Sequence, residues 1–328
     1  MPDQASVSTE KLEEPTLPLR ISGINDAAKG IRSFELMHPD GADLPPFSAG
    51  AHIQLRVPCG LWRKYSLCND PSERHRYVIT VKRAQDGKGG SISLTDDTHE
   101  GDTLPTAYPV NTFELVDTAA EYLFIAGGIG ITPIMSMIRS FGELPPALWK
   151  LYYLTRSPEE TAFLEELTAP QLRSHVQIHH DNSDVSQALD LWPILERPTR
   201  AHIYCCGPRS LLDSVRDMTG HWPPSNVHFE SFLEGGGVHV EDRPFGVRLA
   251  KSGKVFQIPV GKTILEVLRE AGLDLVSSCE SGTCGTCRTR LVSGDADHRD
   301  LVLMPEEMES QIMICVSRAN SDELVLDL

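Results

Sequence analysis

Three cysteines fall within nine residues, Cys279, Cys284 and Cys287, and a fourth, Cys315, stands apart further along the chain. The pattern is C-x4-C-x2-C…C. Four thiolates gathered on one compact inorganic core would dictate the path of the whole C-terminal region. The residues between the first three cysteines suit such a wrap. Ser281, Gly282, Thr283, Gly285 and Thr286 are all small, so the backbone can come close enough for N–H groups to reach sulfur. Disulfides are the poorer account of the eight cysteines. The N-terminal MPDQASVSTEKLEEP has neither a basic stretch nor an apolar one, so no secretory signal is expected and reduced thiols in a cytoplasmic chain are.

The spacing is that of plant-type [2Fe–2S] sites. A structural zinc is the rival, in a binding module whose metal serves folding only. Zinc sites, however, usually present two close cysteine pairs, whereas here three candidates share one loop. Cys59, Cys68 and Cys205 lack such spacing and read as buried structural thiols.

A length of 328 residues predicts two domains or three small ones. A net charge of −16 argues against nucleic acid as a partner. The longest apolar run, Tyr122–Met135, is short and interrupted by Gly127, Gly128, Gly130 and Pro133, so no membrane span is expected. The first hundred or so residues alternate polar and apolar, as in AHIQLRV and RYVITVKR, between Pro- and Gly-rich breaks. They predict an antiparallel β-barrel or sandwich. From YLFIAG onward, buried-type strands (KLYYLTR, HVQIHHD, AHIYCCGP) alternate with helix candidates such as EETAFLEEL and SLLDSVRDM. This is the pattern of a parallel sheet in an α/β domain. The stretch His228–Pro244, with three consecutive glycines, reads as a linker. Beyond it a hairpin and a helix, ILEVLREAG capped by Thr263, precede the cysteine loop.

Two strand ends look suited to a dinucleotide. AGGIGITPI opens a helix with Thr132 as expected N-cap, and its glycines, Gly128 and Gly130 among them, permit close backbone approach. Cys206, Gly207 and Pro208 end another strand, at the edge where open sheets bind ligands. Arg156 could grip the extra phosphate of NADP or simply face solvent. On the barrel, Arg63, Lys64, Tyr65 and Ser66 stand in succession. Val81, Lys82 and Arg83 form a second candidate group, and Lys88, Gly89, Gly90 and Ser91 a third. These offer phosphate grips, hydroxyl donors and an aromatic that can pack on a flat ring.

Taken in order, RKYSL, GKGGS, GGIGITP, CCGP and the cysteine pattern resemble the phthalate dioxygenase reductase family, flavin reductases of the ferredoxin–NADP reductase superfamily with a fused plant-type ferredoxin. Long runs such as YYLTR, HFESF, SSCESGTCG and GDADHRD extend the resemblance over the whole chain. It implies an FMN-binding barrel at 14–117, an NAD-binding α/β domain at 118–231, a linker at 232–243 and a β-grasp (α+β) [2Fe–2S] ferredoxin domain at 244–328. It further implies that Arg63, Tyr65 and Ser66 meet the flavin phosphate, ring and N5 side. Gly89, Gly90 and Ser91 would be the phosphate loop, with Lys88 where arginine is expected. Thr132 and Cys206 would flank the nicotinamide, Phe232 would cover the flavin, and Ser66 and Cys206 would be the catalytic contacts. The cluster ligands would be Cys279, Cys284, Cys287 and Cys315.

The expected activity is electron transfer from NADH through FMN and the cluster to a Rieske-type oxygenase component, by a monomer. The alternative is the same chemistry serving another oxygenase or an O-demethylase. A flavin suits the middle position because NADH delivers electrons in pairs and the cluster takes them singly. The acidic stretch Gly294–Glu309 is either a docking face for a basic partner or a solvated loop.

Overall fold

The computed structural model describes residues 16–84, 89–142, 148–232 and 242–328. Lys88 and the Gly-Gly-Gly stretch lie outside them, as do residues 14 and 15 of the expected barrel.

The first sheet is antiparallel and six-stranded. Its strands are β1 (Leu17–Ala28), β2 (Ile31–Met37), β3 (His52–Arg56), β4 (Trp62–Ser66), β5 (Tyr77–Lys82) and β6 (Thr103–Thr106), in the order β4-β3-β6-β1-β2-β5. Its two edges meet just beyond β4, where Cys68 N–H donates to the Val78 carbonyl at 2.9 Å and Leu67 bridges Ile79. Closure into a barrel removes exposed edges and leaves a filled interior of Leu19, Ile21, Phe34, Ile53, Leu55 and Ile79. Strand β5 is buried on both faces because Val78 and Cys68 pack outward into the next domain's core. Of the expected buried thiols, Cys68 and Cys205 are buried. Cys59 is exposed instead, in the turn after β3 beside Gly60 at φ 83°.

The second sheet is parallel: β7 (Glu121–Gly127), β8 (Leu148–Thr155), β9 (Val176–His180), β10 (Ala201–Cys206) and β11 (Val227–Glu230), in the order β11-β10-β7-β8-β9. Strand β11 corrects the linker expectation at its front end. His228, Phe229 and Glu230 pair with Tyr204, Cys205 and Cys206, a short edge strand masked in the sequence by the glycines after it. EETAFLEEL also departs from expectation. Phe163 takes φ 60°, a left-handed conformation that stops helix propagation, so only one turn, Leu164–Leu167, forms.

Three of the longer helices and a capped one complete the frame: α1 (Gly90–Asp96), α2 (Ile131–Ser140), α3 (Arg209–Met218) and α4 (Ile264–Glu270). Thr132 is not the N-cap of α2. It is the second helical residue, and its hydroxyl donates back to the Ile129 carbonyl at 3.0 Å. Thr263 does cap α4, in a capping box with Glu266.

The C-terminal domain holds β12 (Phe245–Leu249), β13 (Val255–Ile258), β14 (Arg288–Ser293), β15 (Ala296–Asp297), β16 (Gln311–Met313), β17 (Arg318–Ala319) and β18 (Glu323–Leu326). Its main sheet runs β13-β12-β18-β14-β16, and α4 packs against it through Ile264, Leu265 and Leu268. The β12–β18 pair is parallel and the others antiparallel, as the β-grasp expectation requires. Among the described residues no helix is long and apolar enough to cross a membrane.

The domains are tied together. Ser136 of α2 donates to the Asn69 carbonyl of the barrel at 2.9 Å. Leu301 of the C-terminal domain enters the core of the parallel-sheet domain beside Leu123, Ile125 and Trp222. Such a burial contributes roughly 1.5–3 kcal/mol. Arg216 of α3 donates to the Asp300 carbonyl at 3.0 Å, and Arg209 to that of Arg299.

Candidate functional site

The cysteine loop is built on left-handed backbone. Gly282 has φ 75°, and a Cβ there would lie 2.8 Å from Val316 Cγ2 and 3.1 Å from Asp300 Cα. Only glycine lets the loop pass so close to its neighbours. The turn aims amides inward: Ser281 and Thr283 N–H donate to Cys279 Sγ at 3.5 and 3.4 Å, and Cys279 N–H to Cys284 Sγ at 3.4 Å.

The four thiols form two couples. The hydrogen bond from Cys284 holds Cys279 down at about 4, against burial, and pushes Cys284 up. The bond from Cys315 likewise lowers Cys287 and raises Cys315. Cys284 is exposed and the other three are buried.

The expected dinucleotide residues also come together. A Cβ on Gly130 would lie 2.2 Å from the Cys206 carbonyl oxygen, and one on Gly127 2.6 Å from Pro208 Cδ. The glycine turn and Cys206–Pro208 thus lie backbone against backbone at the carboxyl ends of β7 and β10. Thr132 and Cys206 are buried there. Burial, then the adjacent Glu230, keeps the Cys206 thiol well above its ordinary range, so it is a neutral thiol and no thiolate nucleophile. Arg156 is exposed at the end of β8.

On the barrel, Arg63 lies against the second glycine of its loop: a Cβ on Gly90 would meet Arg63 Nε at 2.7 Å. Arg63 therefore packs against the Gly89–Gly90–Ser91 turn that opens α1, and a guanidinium beside that turn fits an anionic phosphate. Arg83 is turned elsewhere, its guanidinium gripping Asp96 at 2.8–3.0 Å. Lys82 faces Glu160 at 3.6 Å, and Val81 is buried in the barrel. Lys64 points away from the glycines and donates to the Cys279 carbonyl at 3.0 Å. Phe232, just past β11, is 42% exposed, an aromatic face available to a flat ring.

One residue was missed. Glu230, the last of β11, is buried, with its carboxylate 3.5 Å from the Ser66 hydroxyl and 4.0 Å from Cys206 Sγ. Burial raises it to about 8, opposed by the Ser66 bond. HFESF contained it, but an acid in a net acidic chain beside a glycine-rich stretch gave no sign of burial.

Part of the acidic stretch is engaged inside its own domain, while Asp295, Glu306 and Glu309 are exposed. Asp300 is buried and accepts from Val302 and Leu303 N–H at 2.9 and 2.7 Å, Asp297 pairs with Arg299, and Glu307 with Arg288. Of these three only Asp300 is buried, which takes it out of both expected readings.

A barrel with a phosphate cradle, a parallel sheet with a dinucleotide edge and a grasp domain with paired thiols define a flavin-dependent reductase fused to a ferredoxin. Residues 247–320 match the 2Fe-2S iron-sulfur cluster binding domain family. The chain is 54% identical, over 98% of its length and 99% of the relative's, to the phthalate 4,5-dioxygenase oxygenase reductase subunit of Pseudomonas putida. It is 54% identical over 98% of its length and 100% of the relative's to the phthalate dioxygenase reductase of Burkholderia cepacia. A solved phthalate dioxygenase reductase, described as a modular structure for electron transfer from pyridine nucleotides to [2Fe-2S], superposes with a TM-score of 0.73, covering 95% of this chain and 98% of that one. The chain belongs to the phthalate dioxygenase reductase family. It is an iron–sulfur flavoprotein oxidoreductase, a reductase component of an oxygenase system, with FMN, a [2Fe–2S] cluster and NADH as its cofactors.

Proposed function

We propose that the chain carries electrons from NADH to a Rieske-type, phthalate dioxygenase-like oxygenase, acting as a cytoplasmic monomer with no nucleic-acid or membrane partner. One observation carries the reading of the site. Within four consecutive residues β4 reaches all three candidate cofactor regions: Arg63 at Gly90, Lys64 at Cys279, and Ser66 at Glu230 beside Cys206. FMN at this strand supplies the exchange between paired and single electrons.

The chain's own residues bind and orient. Arg63 and the amides of Gly89, Gly90 and Ser91 hold the phosphate, with Lys88 adding charge. Val81, Lys82 and Arg83 line the strand beside the ring, with Arg83 buttressed by Asp96. Tyr65 and Phe232 pack on the ring's faces. Ser66 offers its hydroxyl, fixed by Glu230. Gly128, Gly130, Thr132, Cys206, Gly207 and Pro208 seat the nicotinamide end, and the buried surroundings of Cys206 and Glu230 keep water from it. Cys279, Cys284, Cys287 and Cys315 hold the cluster. The boundaries 14–117, 118–231, 232–243 and 244–328 are proposed for the modules, with β11 the last strand of the second.

The test is Cys284→Ser assayed with NADH and two acceptors. The cluster and the reduction of purified oxygenase component should be lost, while reduction of a small dye persists. Loss of both activities would contradict the modular reading. A panel of oxygenase and O-demethylase components, assayed with the unsubstituted chain, identifies the acceptor.

A further inference from the structure

Successive residues of a strand face opposite ways. On β4 this puts Arg63 with Tyr65 and Lys64 with Ser66. The second face looks toward the dinucleotide edge and the cluster loop. Lys64 Nζ donates at 3.0 Å to the main-chain carbonyl of Cys279, a residue 215 positions away and a proposed cluster ligand. The bond crosses from barrel to ferredoxin domain. Its surroundings are sparing in positive charge: buried His52, on the neighbouring strand β3 opposite Ser66, is held neutral by burial and then by Lys64 itself. Buried Glu230 and the Glu280 carboxylate lie on the same side, the latter already bound by Arg269 at 2.8 Å and Ser277 at 2.7 Å. A second cation, Arg269, is therefore occupied by Glu280, Ser277 and the Leu275 carbonyl.

We propose that Lys64 is a positioning residue for the single-electron step. It clips the cluster loop to the flavin strand, and its ammonium favours the negative charge that arrives when the cluster is reduced. The inference rests on the cofactor sites assigned above. A charge-assisted hydrogen bond is short and directional, so the loop is held at one distance from β4. Hydrogen bonds and nearby charge tune an iron–sulfur potential, and a cation bonded to a ligand's own carbonyl is placed to do so.

The experiment compares holoenzymes: the unsubstituted chain, Lys64→Met (bond and charge removed), Lys64→Gln (charge removed) and Lys64→Arg (charge kept). The cluster's midpoint potential is read by dye-mediated titration with electron paramagnetic resonance. The single-electron step is read by stopped flow, resolved from the hydride step before it. Lys64→Met and Lys64→Gln should lower the potential and slow the step. A tenfold change in the electron-sharing equilibrium corresponds to about 59 mV for a one-electron couple. Lys64→Arg should restore the potential. Unshifted potentials in both neutral variants, or an arginine variant displaced as far as methionine, would overturn the proposal. Iron content measured on each variant separates a shifted cluster from a lost one. If Lys64→Met loses its cluster, Lys64→Gln alone decides: a lowered potential there supports the proposal and an unshifted one overturns it. Absence of the cluster signal in the unsubstituted chain would instead overturn the cluster assignment, and this proposal with it.

Discussion

The Ser66 hydroxyl of the barrel lies 3.5 Å from the carboxylate of Glu230, the final residue of the parallel sheet's edge strand. The contact joins two domains at a buried point, and there burial raises Glu230 while the Ser66 bond opposes the rise. With Glu230 raised to about 8 by burial, its carboxyl is mostly protonated at neutral pH and ionises as pH climbs past 8.

This has a pH signature. A carboxyl whose folded pKa is raised costs nothing below its unfolded value, where both states hold the proton. The cost then grows as pH climbs through the window from about 4.5 to about 8, because only the unfolded state ionises readily there, and it grows by about 1.4 kcal/mol for each pH unit crossed. Glu230→Gln removes the titration. Its thermal midpoint should therefore match that of the unsubstituted chain near pH 4.5 and exceed it at pH 8. A constant offset across the range would show that Glu230 is ionised in the fold.

Gly130→Ala should separate the two halves of the dinucleotide edge. The new methyl would collide with the Cys206 carbonyl, a backbone atom that cannot swing aside. Overpacking of this kind costs about 1–3 kcal/mol. The KM for NADH should rise, with FMN and iron content preserved. Flavin and iron analysis alongside steady-state kinetics checks both halves.

Arg63→Ala should loosen the flavin. Loss of one charged hydrogen bond to phosphate costs about 1.5–3 kcal/mol, on the order of a ten- to hundredfold rise in the FMN dissociation constant. Fluorescence titration of the deflavinated chain measures it, and an unchanged constant would remove Arg63 from the cradle.

Much of this was legible in the residues themselves. The alternation in AHIQLRV and RYVITVKR, the apolar YLFIAG and the cysteine spacing each reflect a local rule, of pleat, buried strand or ligand geometry, and local rules survive in sequence. What was hidden depends on long-range contact. Arg83 looked like a phosphate grip, yet Asp96 claims it. Asp300 looked like one acid among many, yet it is buried and caps Val302 and Leu303. The break in EETAFLEEL comes from a backbone twist at Phe163 that no helix propensity announces. The direction of Lys64, sandwiched between two expected flavin contacts, became visible only when Cys279 folded against it.

Arg209 and Arg216 make a prediction about domain docking. Both project from α3 and hold the carbonyls of Arg299 and Asp300, whose loop in turn packs on Gly282; Leu301 N–H donates to the Gly282 carbonyl at 2.9 Å. The double variant Arg209→Ala, Arg216→Ala should free the C-terminal domain from the sheet domain while each stays folded. Amide hydrogen exchange in the 299–303 segment should rise, and transfer from flavin to cluster should slow. Unaltered exchange there would show that the Leu301 burial holds the domains alone.

The relay as a whole stands or falls on what the paired thiols hold. Iron, acid-labile sulfide, zinc and flavin should be quantified together in the chain purified under anaerobic conditions. The account predicts iron and sulfide in the equal ratio of a [2Fe–2S] centre, with FMN and without zinc. A zinc-loaded chain lacking sulfide would contradict it.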